Sequence, residues 1–127
     1  MYLILGRSVY APYFIDEDFT HSHRSAGYAA MANIGVDTNA SQFYITLAKC
    51  RWLDNKNVVF GKVVKGMDFI RRLSELETNE YGTPVATVAI TEAGVRALKE
   101  AYDLSEEDLD KEADIRPGPV SPDFVEL

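Results

Sequence analysis

MANIGVDTNASQFYIT, residues 31–46, is the stretch on which the reading of this chain turns. A short apolar segment gives way to Asn33-Ile34-Gly35-Val36-Asp37-Thr38-Asn39-Ala40-Ser41, and then to Gln42-Phe43-Tyr44-Ile45-Thr46. A hairpin needs only about two to five connecting residues. This loop is longer and rich in amides and hydroxyls, so it displays polar backbone and side-chain groups beside aromatic surface.

The flanks supply the elements. Residues 27–32 (GYAAMA) read as a short buried strand between Gly27 and Asn33. Gln42–Thr46 is a second strand and Val58–Val64 a third, broken by Lys65-Gly66. From Met67 to Glu77, Met67, Ile70, Leu73 and Leu76 recur three apart opposite Arg71, Arg72 and Glu75, which predicts a helix. Residues 1–5 read as a strand and Gly6–Asp18 as an aromatic-rich irregular stretch. Asp16–Phe19 suits a short helical turn, because acidic groups favour a helix N-terminus. After Thr83-Pro84, Val85, Thr87 and Ala89 alternate with Ala86, Val88 and Ile90 as in a strand. Thr91–Ala101 reads as helical, weakened at Gly94. Ser105-Glu106-Glu107-Asp108 resembles an N-cap with an acidic first turn, and Arg116–Pro122, with three prolines, an extended tail.

At 127 residues the chain is expected to form one folded domain with a real core, and 46% apolar and 26% charged residues are ordinary for a soluble globular protein. No apolar run approaches a membrane span, and Met1–Leu5 is too short and lacks the basic residues of a leader peptide. The only cysteine, Cys50, rules out an internal disulfide and points to a reducing, cytoplasmic compartment. The net charge of −7 is uneven: residues 1–94 carry 9 basic and 10 acidic side chains, residues 95–127 carry 4 and 10. A folded unit over 1–94 and an acidic extension over 95–127 are therefore expected. Acidity of this kind argues against a nucleic-acid binder, which needs a basic face.

Asn33, Gln42, Tyr44, Trp52, Leu53 and Asn57 fall near strand ends and loops. Aromatic and apolar walls with a few amides are the usual make-up of a small ligand pocket. Taken alone, Trp52 and Tyr44 read as core residues rather than as pocket walls. No nucleophile has a base partner, and neither Ser8, Ser22, Ser41 nor Cys50 sits in a triad-like context. His21 and His23 would share one face of a strand, but two ligands make a poor metal site, so neither a metal nor a cofactor is expected. Asn39-Ala40-Ser41 fits a glycosylation sequon by chance, since nothing marks the chain as secreted.

Together these segments resemble the second half of a cyclophilin, the peptidyl-prolyl cis–trans isomerase family. Gly6-Arg7-Ser8-Val9-Tyr10 is similar to the family's Gly-x-Ser-Ile-Tyr, and Phe14-x-Asp16-Glu17-x-Phe19 to its Phe-x-Asp-Glu-Asn-Phe. Met31-Ala32-Asn33-x-Gly35-x-x-Thr38-Asn39-x-Ser41-Gln42-Phe43 carries the most diagnostic match. Trp52-Leu53-Asp54-x-Lys56-x-Val58-Val59-Phe60-Gly61-Lys62-Val63 follows at the family's spacing, then Gly66-Met67 opening a helix. The likeness covers residues 6–94.

The resemblance implies a mostly β fold: part of an antiparallel cyclophilin-like barrel, about half its strands, with one capping helix and a helical or extended acidic tail. It implies isomerisation of X-Pro bonds in protein folding, with proline-containing peptides or proteins as partners and a cyclosporin-type molecule as a further ligand. It carries over a substrate site residue by residue. Ala32, Asn33 and Ile34 resemble the backbone rim that hydrogen-bonds an extended peptide, and Gln42 the amide that contacts its backbone. Tyr44 stands where an aromatic, usually Phe, lines the proline socket. Trp52 and Leu53 resemble the wall that also contacts cyclosporin, which moves Trp52 from core to pocket. Asn57 stands where many members have His, and Ile34 where a small residue is usual.

The family's catalytic arginine belongs to a Phe-His-Arg stretch that lies before Gly-x-Ser-Ile-Tyr, and no such stretch occurs in these 127 residues. Arg7, Arg24 and Arg51 are not in matching contexts, so no catalytic residue is assigned. Weak or absent turnover is therefore expected from this chain, with a non-catalytic proline-peptide-binding or scaffold module as the alternative. A half-barrel also leaves an apolar inner face open. Three arrangements would resolve that: a product that starts further upstream, a homodimer through the open face, or the acidic tail folding back with Val95, Leu98, Tyr102, Leu104 and Leu109.

Overall fold

The computed structural model describes residues 6–95 and 103–115. The expectations for residues 1–5, 96–102 (Leu98 and Tyr102 included) and 116–127 lie outside them.

Three short strands, β1 (Tyr28–Met31), β2 (Phe43–Ile45) and β3 (Val59–Lys62), form an antiparallel sheet in the order β2-β1-β3. Buried and half-buried residues alternate along β1, as expected where successive side chains point to opposite faces. Ala30 lies opposite Tyr44 and Val59, and Tyr28 opposite Lys62, which puts these side chains on one face. That face is the core: Tyr28, Ala30 and Val59 are buried, with Tyr44 and Leu109 packed against them. The register slips between Ala29 and Ala30, leaving Phe60 as the extra residue of a bulge. On the opposite face its ring meets Phe43 edge-on at 6.2 Å. Phe43 and Phe60 are 48% and 57% exposed there. Among the described residues the sheet is open, so the fold is the partial, mostly β cyclophilin-like arrangement expected from sequence.

Gly27 makes the entry to β1 possible. Its N–H donates to the Thr46 carbonyl and its carbonyl accepts from the Val63 N–H, both at 2.7 Å, at a φ of +85°. The αL region suits glycine, and a Cβ here would lie 3.1 Å from Met67 Sδ.

The helix α1 spans Met67–Ser74 and buries Met67, with Ile70 and Leu73 half-buried, matching the predicted apolar spacing. Gly66 opens it at φ +96° and has no side chain to cap it. Asp114 supplies the cap instead, its Oδ1 accepting from the Met67 N–H at 2.9 Å. A second helix, α2 (Glu106–Asp110), carries the predicted cap as a full capping box. Ser105 Oγ accepts from the Asp108 N–H, and Asp108 Oδ2 accepts from the Ser105 N–H.

Residues 105–115 dock on the core face of the sheet. The Leu109 carbonyl accepts from Ser25 Oγ at 2.9 Å and from the Tyr28 hydroxyl at 3.0 Å. Lys62 Nζ, 4.4 Å above the Tyr28 ring, donates to Ser25 Oγ and to the carbonyls of Ala26 and Lys111. Arg24 clamps both ends of α2, with Nη1 on Glu106 at 2.7 Å and Nε on Asp110 at 2.9 Å. The buried Ile115 donates its N–H to the Val64 carbonyl. Leu109 thus packs as the fold-back arrangement requires, while Val95 is fully exposed and Phe43 and Phe60 lie on the other face.

Three predicted elements are corrected. Asp16–Phe19 is not helical: the Asp16 carboxylate accepts from the Asp37 N–H and from Asn39 Nδ2, and these ties to the 37–39 loop replace a turn. The alternating 85–90 segment forms no strand; Val85, Val88 and Ile90 are exposed, and the one bridge nearby joins Thr78 to Pro84. A strand needs a neighbour to complete its ladder, and none of the described strands pairs with this segment. Residues 91–95 are likewise irregular rather than helical, as Gly94 disfavours.

Candidate functional site

The candidate residues gather where β1 ends. Ala32 donates its N–H to the Gln42 carbonyl at 3.0 Å, so rim and amide are adjacent. Asn33 Nδ2 donates to the Lys56 carbonyl at 2.7 Å and Asn57 Nδ2 to the Met31 carbonyl at 2.9 Å. These two amides stitch the loop before β3 to the end of β1. The Ile34 N–H donates to Thr38 Oγ1, and its side chain is exposed. Gln42 is exposed, facing solvent beside the rim.

Trp52 and Leu53 lie in a 3-10 turn, Arg51–Leu53. Trp52 is 66% exposed, so it is not a core plug, and Leu53 is half-buried. The Leu53 carbonyl accepts the N–H groups of Lys56 and Asn57, which fixes the turn to Asn57. Two cavities lie nearby. One of about 300 Å³ lies beside the rim, lined by Phe19, Asn33, Val36, Asn55 and Asn57. One of about 160 Å³ is lined by Phe14, Met31, Asn39, Val58 and Phe60. Tyr44 and Trp52 line neither: Trp52 is open surface, whereas Tyr44 is half-buried against Tyr28, Ala30 and Val59.

The arrangement also contains a group the sequence reading undervalued. His23 and His21 do not share a strand face: the segment is irregular, His21 is exposed and His23 is completely buried. His23 Nδ1 lies 2.9 Å from Asp54 Oδ1, and its Nε2 lies 2.8 Å from the Tyr44 hydroxyl, with the two rings stacked. The His23 N–H also donates to Asp54 Oδ1 at 2.7 Å, and the His23 carbonyl accepts from the Cys50 N–H at 3.0 Å. One residue therefore holds both ends of the turn that carries Trp52. The Tyr44 hydroxyl, which would be costly unpaired in an apolar wall, has its partner.

Electrostatics agree with this pairing. Burial pushes the Asp54 carboxyl up, but the hydrogen bonds from the His23 N–H and ring, with the charges of His23 and Arg51, outweigh it and hold the carboxyl below its ordinary value. Burial, with the nearby Cys50 and Asp54, pushes the Tyr44 hydroxyl up to about 12. At neutral pH Asp54 is a carboxylate and Tyr44 a neutral phenol. No group of three or more His, Cys, Asp or Glu among the described residues could hold a metal ion.

Comparison with known proteins matches this arrangement to a family. Residues 6–95 match the family described as cyclophilin type peptidyl-prolyl cis-trans isomerase/CLD. The chain is 44% identical over 89 residues to peptidyl-prolyl cis-trans isomerase D of Saccharomyces cerevisiae, covering 70% of this chain and 40% of that protein. It is 51% identical over 70 residues to a peptidyl-prolyl cis-trans isomerase of Encephalitozoon cuniculi, covering 55% of this chain and 41% of the relative. It is 46% identical over 89 residues to peptidyl-prolyl cis-trans isomerase H of Mycosarcoma maydis, covering 70% and 57%. The chain thus spans about half the length of these relatives. With the family match running through the rim, the Tyr44 strand, the Trp52 turn and α1, this chain belongs to the cyclophilin-type peptidyl-prolyl cis-trans isomerases.

Proposed function

We propose that this chain presents a proline-peptide groove of the cyclophilin type, in which Ala32–Ile34 form the rim, Gln42 contacts the peptide backbone, and Tyr44, Trp52, Leu53 and Asn57 form the wall. The observation that supports it most is the combination of rigidity and exposure. The wall segments are fastened to one another by backbone and amide hydrogen bonds, while Trp52 remains 66% exposed to a ligand. A preorganised apolar wall loses little entropy when an extended peptide binds.

The family reaction rotates an X-Pro amide over a barrier of about 18–20 kcal/mol. No covalent step is required. The socket holds the ring, the rim holds the chain, and a donor at the prolyl amide favours the twisted state, which has lost resonance. Withholding a positioned donor typically costs about 10²–10³ in rate. Among the described residues Arg24 is occupied by Glu106 and Asp110, Arg71 donates to the Glu112 carbonyl, and the charge of Arg51 acts on Asp54. No arginine of these 127 residues follows a Phe-His pair, so the chain should bind proline peptides and turn them over weakly. A proline-peptide isomerisation assay decides: turnover at the level of complete family members would refute the weak-turnover reading. A change in Trp52 fluorescence on adding cyclosporin would support the groove, and no response at saturating ligand would count against it.

The second reading is a non-catalytic binding or scaffold module, favoured by the half-exposed Phe43 and Phe60 on the sheet face opposite the groove. A homodimer through this face is its simplest form, tested by sedimentation of the wild type against Phe60→Lys.

A further inference from the structure

His23 lies in none of the segments that bind peptide in the reading above, yet it touches both groove walls. Its backbone carbonyl and N–H hold the two ends of the Cys50–Asp54 turn, and its ring bridges Asp54 to Tyr44 on β2. Tyr44 and Asp54 share no hydrogen bond of their own with each other; the imidazole is the bond between them.

The proton arrangement follows from the partners. Asp54 is ionised and accepts only, so His23 Nδ1 carries a hydrogen and donates. The Tyr44 hydroxyl, 2.8 Å from Nε2, can donate to a bare Nε2 or accept from a protonated one. Every polar atom of the buried ring has one partner, and each partner belongs to a different wall. Phe at position 44 would leave Nε2 buried without a partner, and Asn at 54 would remove the charge that holds the Nδ1 hydrogen.

We propose that His23 is the positioning residue of the groove: its imidazole, bonded to Asp54 at one nitrogen and to Tyr44 at the other, sets the placement of the Trp52 turn relative to the Tyr44 wall. It touches no substrate and acts through these two side chains. The proposal rests on reading Tyr44 and Trp52 as walls of one groove.

The test is a double-mutant cycle in the full 127-residue chain with Tyr44→Phe and Asp54→Asn, both near-isosteric, repeated with His23→Gln. Two readouts are taken: acrylamide quenching of Trp52 in the free protein, and affinity for a blocked Ala-Pro tetrapeptide. A long-range ¹⁵N–¹H spectrum reports the His23 tautomer against the exposed His21. The expected result is a protonated Nδ1, and coupling between Tyr44→Phe and Asp54→Asn of roughly fivefold in peptide affinity. That coupling should fall to additivity in the His23→Gln background. Additive effects with His23 present, or a ring protonated at Nε2 alone, would overturn the proposal. If the wild type does not bind the peptide, the groove reading fails on its own, and coupling in Trp52 quenching still decides the role of His23. Should His23→Gln not fold, the cycle in the His23 background decides alone.

Discussion

Thr46 follows β2 directly and is 3% exposed. Its Oγ1 accepts from the Tyr28 N–H and donates to the Ser25 carbonyl, both at 2.9 Å and both buried. Its backbone meanwhile pairs with Gly27 and Tyr28. Thr46→Val keeps the side-chain shape and removes both hydroxyl bonds, leaving one donor and one acceptor buried without partners. An orphaned buried polar group costs about 1–3 kcal/mol, so orphaning two should cost about 2–6 kcal/mol. That is a large share of the roughly 5–15 kcal/mol that stabilises a domain. Thr46→Ser keeps both bonds and loses a methyl, and should cost about 0.5–1.5 kcal/mol, as comparable methyl deletions do. Urea denaturation of the three proteins, compared at constant slope, gives both differences. A Thr46→Val loss below about 0.5 kcal/mol, or one no larger than that of Thr46→Ser, would refute the claim that this hydroxyl anchors the segment leading from His23 into β1.

The other outcomes concern the groove support and the tail. The Asp54 carboxyl is lower in the folded chain than its ordinary 3.8, so its stabilisation is complete above that value and fades as pH falls through the folded one; Asp54→Asn should flatten the acid limb of stability against pH, and an unchanged limb would remove Asp54 from the account. The Arg24 pairs join a partly buried guanidinium to exposed Glu106 and Asp110 carboxylates, so high salt should speed amide exchange at Leu109 and Lys111 while leaving β1 unchanged, and Arg24→Gln should erase the salt effect. Gly27→Ala forces a Cβ into a φ of +85° and to 3.1 Å from Met67 Sδ, and should cost about 1–3 kcal/mol by thermal denaturation; a neutral result would mean the β1 entry relaxes freely.

What could be read from sequence was local. Short apolar runs between breakers gave β1, β2 and β3, apolar spacing gave α1, and the Ser105–Asp108 pattern gave the cap of α2, because each signal lies within a few residues of its partner. The proposed groove residues were named only through family resemblance, since Trp52 and Tyr44 alone read as core. His23 carried no signal: it lies in an irregular segment, and its side-chain partners are 31 and 21 residues away. Asp114 caps α1 from 47 residues away, which no local rule reaches. The 85–90 alternation failed for the opposite reason, because a period of two shows what a segment could pair and not whether a neighbour stands beside it.

The long polar loop after β1 has a structural purpose before it has a binding one. Asp37 and Asn39 are tied to Asp16, Thr38 Oγ1 donates to the Gly35 carbonyl and accepts the Ile34 N–H, and Asn39 is wholly buried. Asn33 and Asn57 spend their amide N–H groups on the carbonyls of Lys56 and Met31. Most of the amides and hydroxyls that made this stretch look like a display of ligand contacts are thus consumed in holding backbone. What they leave for a peptide is a fixed edge, with the exposed Gln42 and Trp52 and the half-buried Tyr44 as the remaining groups. In the proposed groove such a rim would recognise an extended chain by its backbone, and the wall would discriminate by its shape. Changing Asn33 should therefore weaken all peptides alike, whereas changing Tyr44 or Trp52 should alter the preference for proline. Affinities of each variant for Ala-Pro and Ala-Ala peptides separate the two effects, and a proline-selective loss in Asn33→Ala would contradict this division of labour.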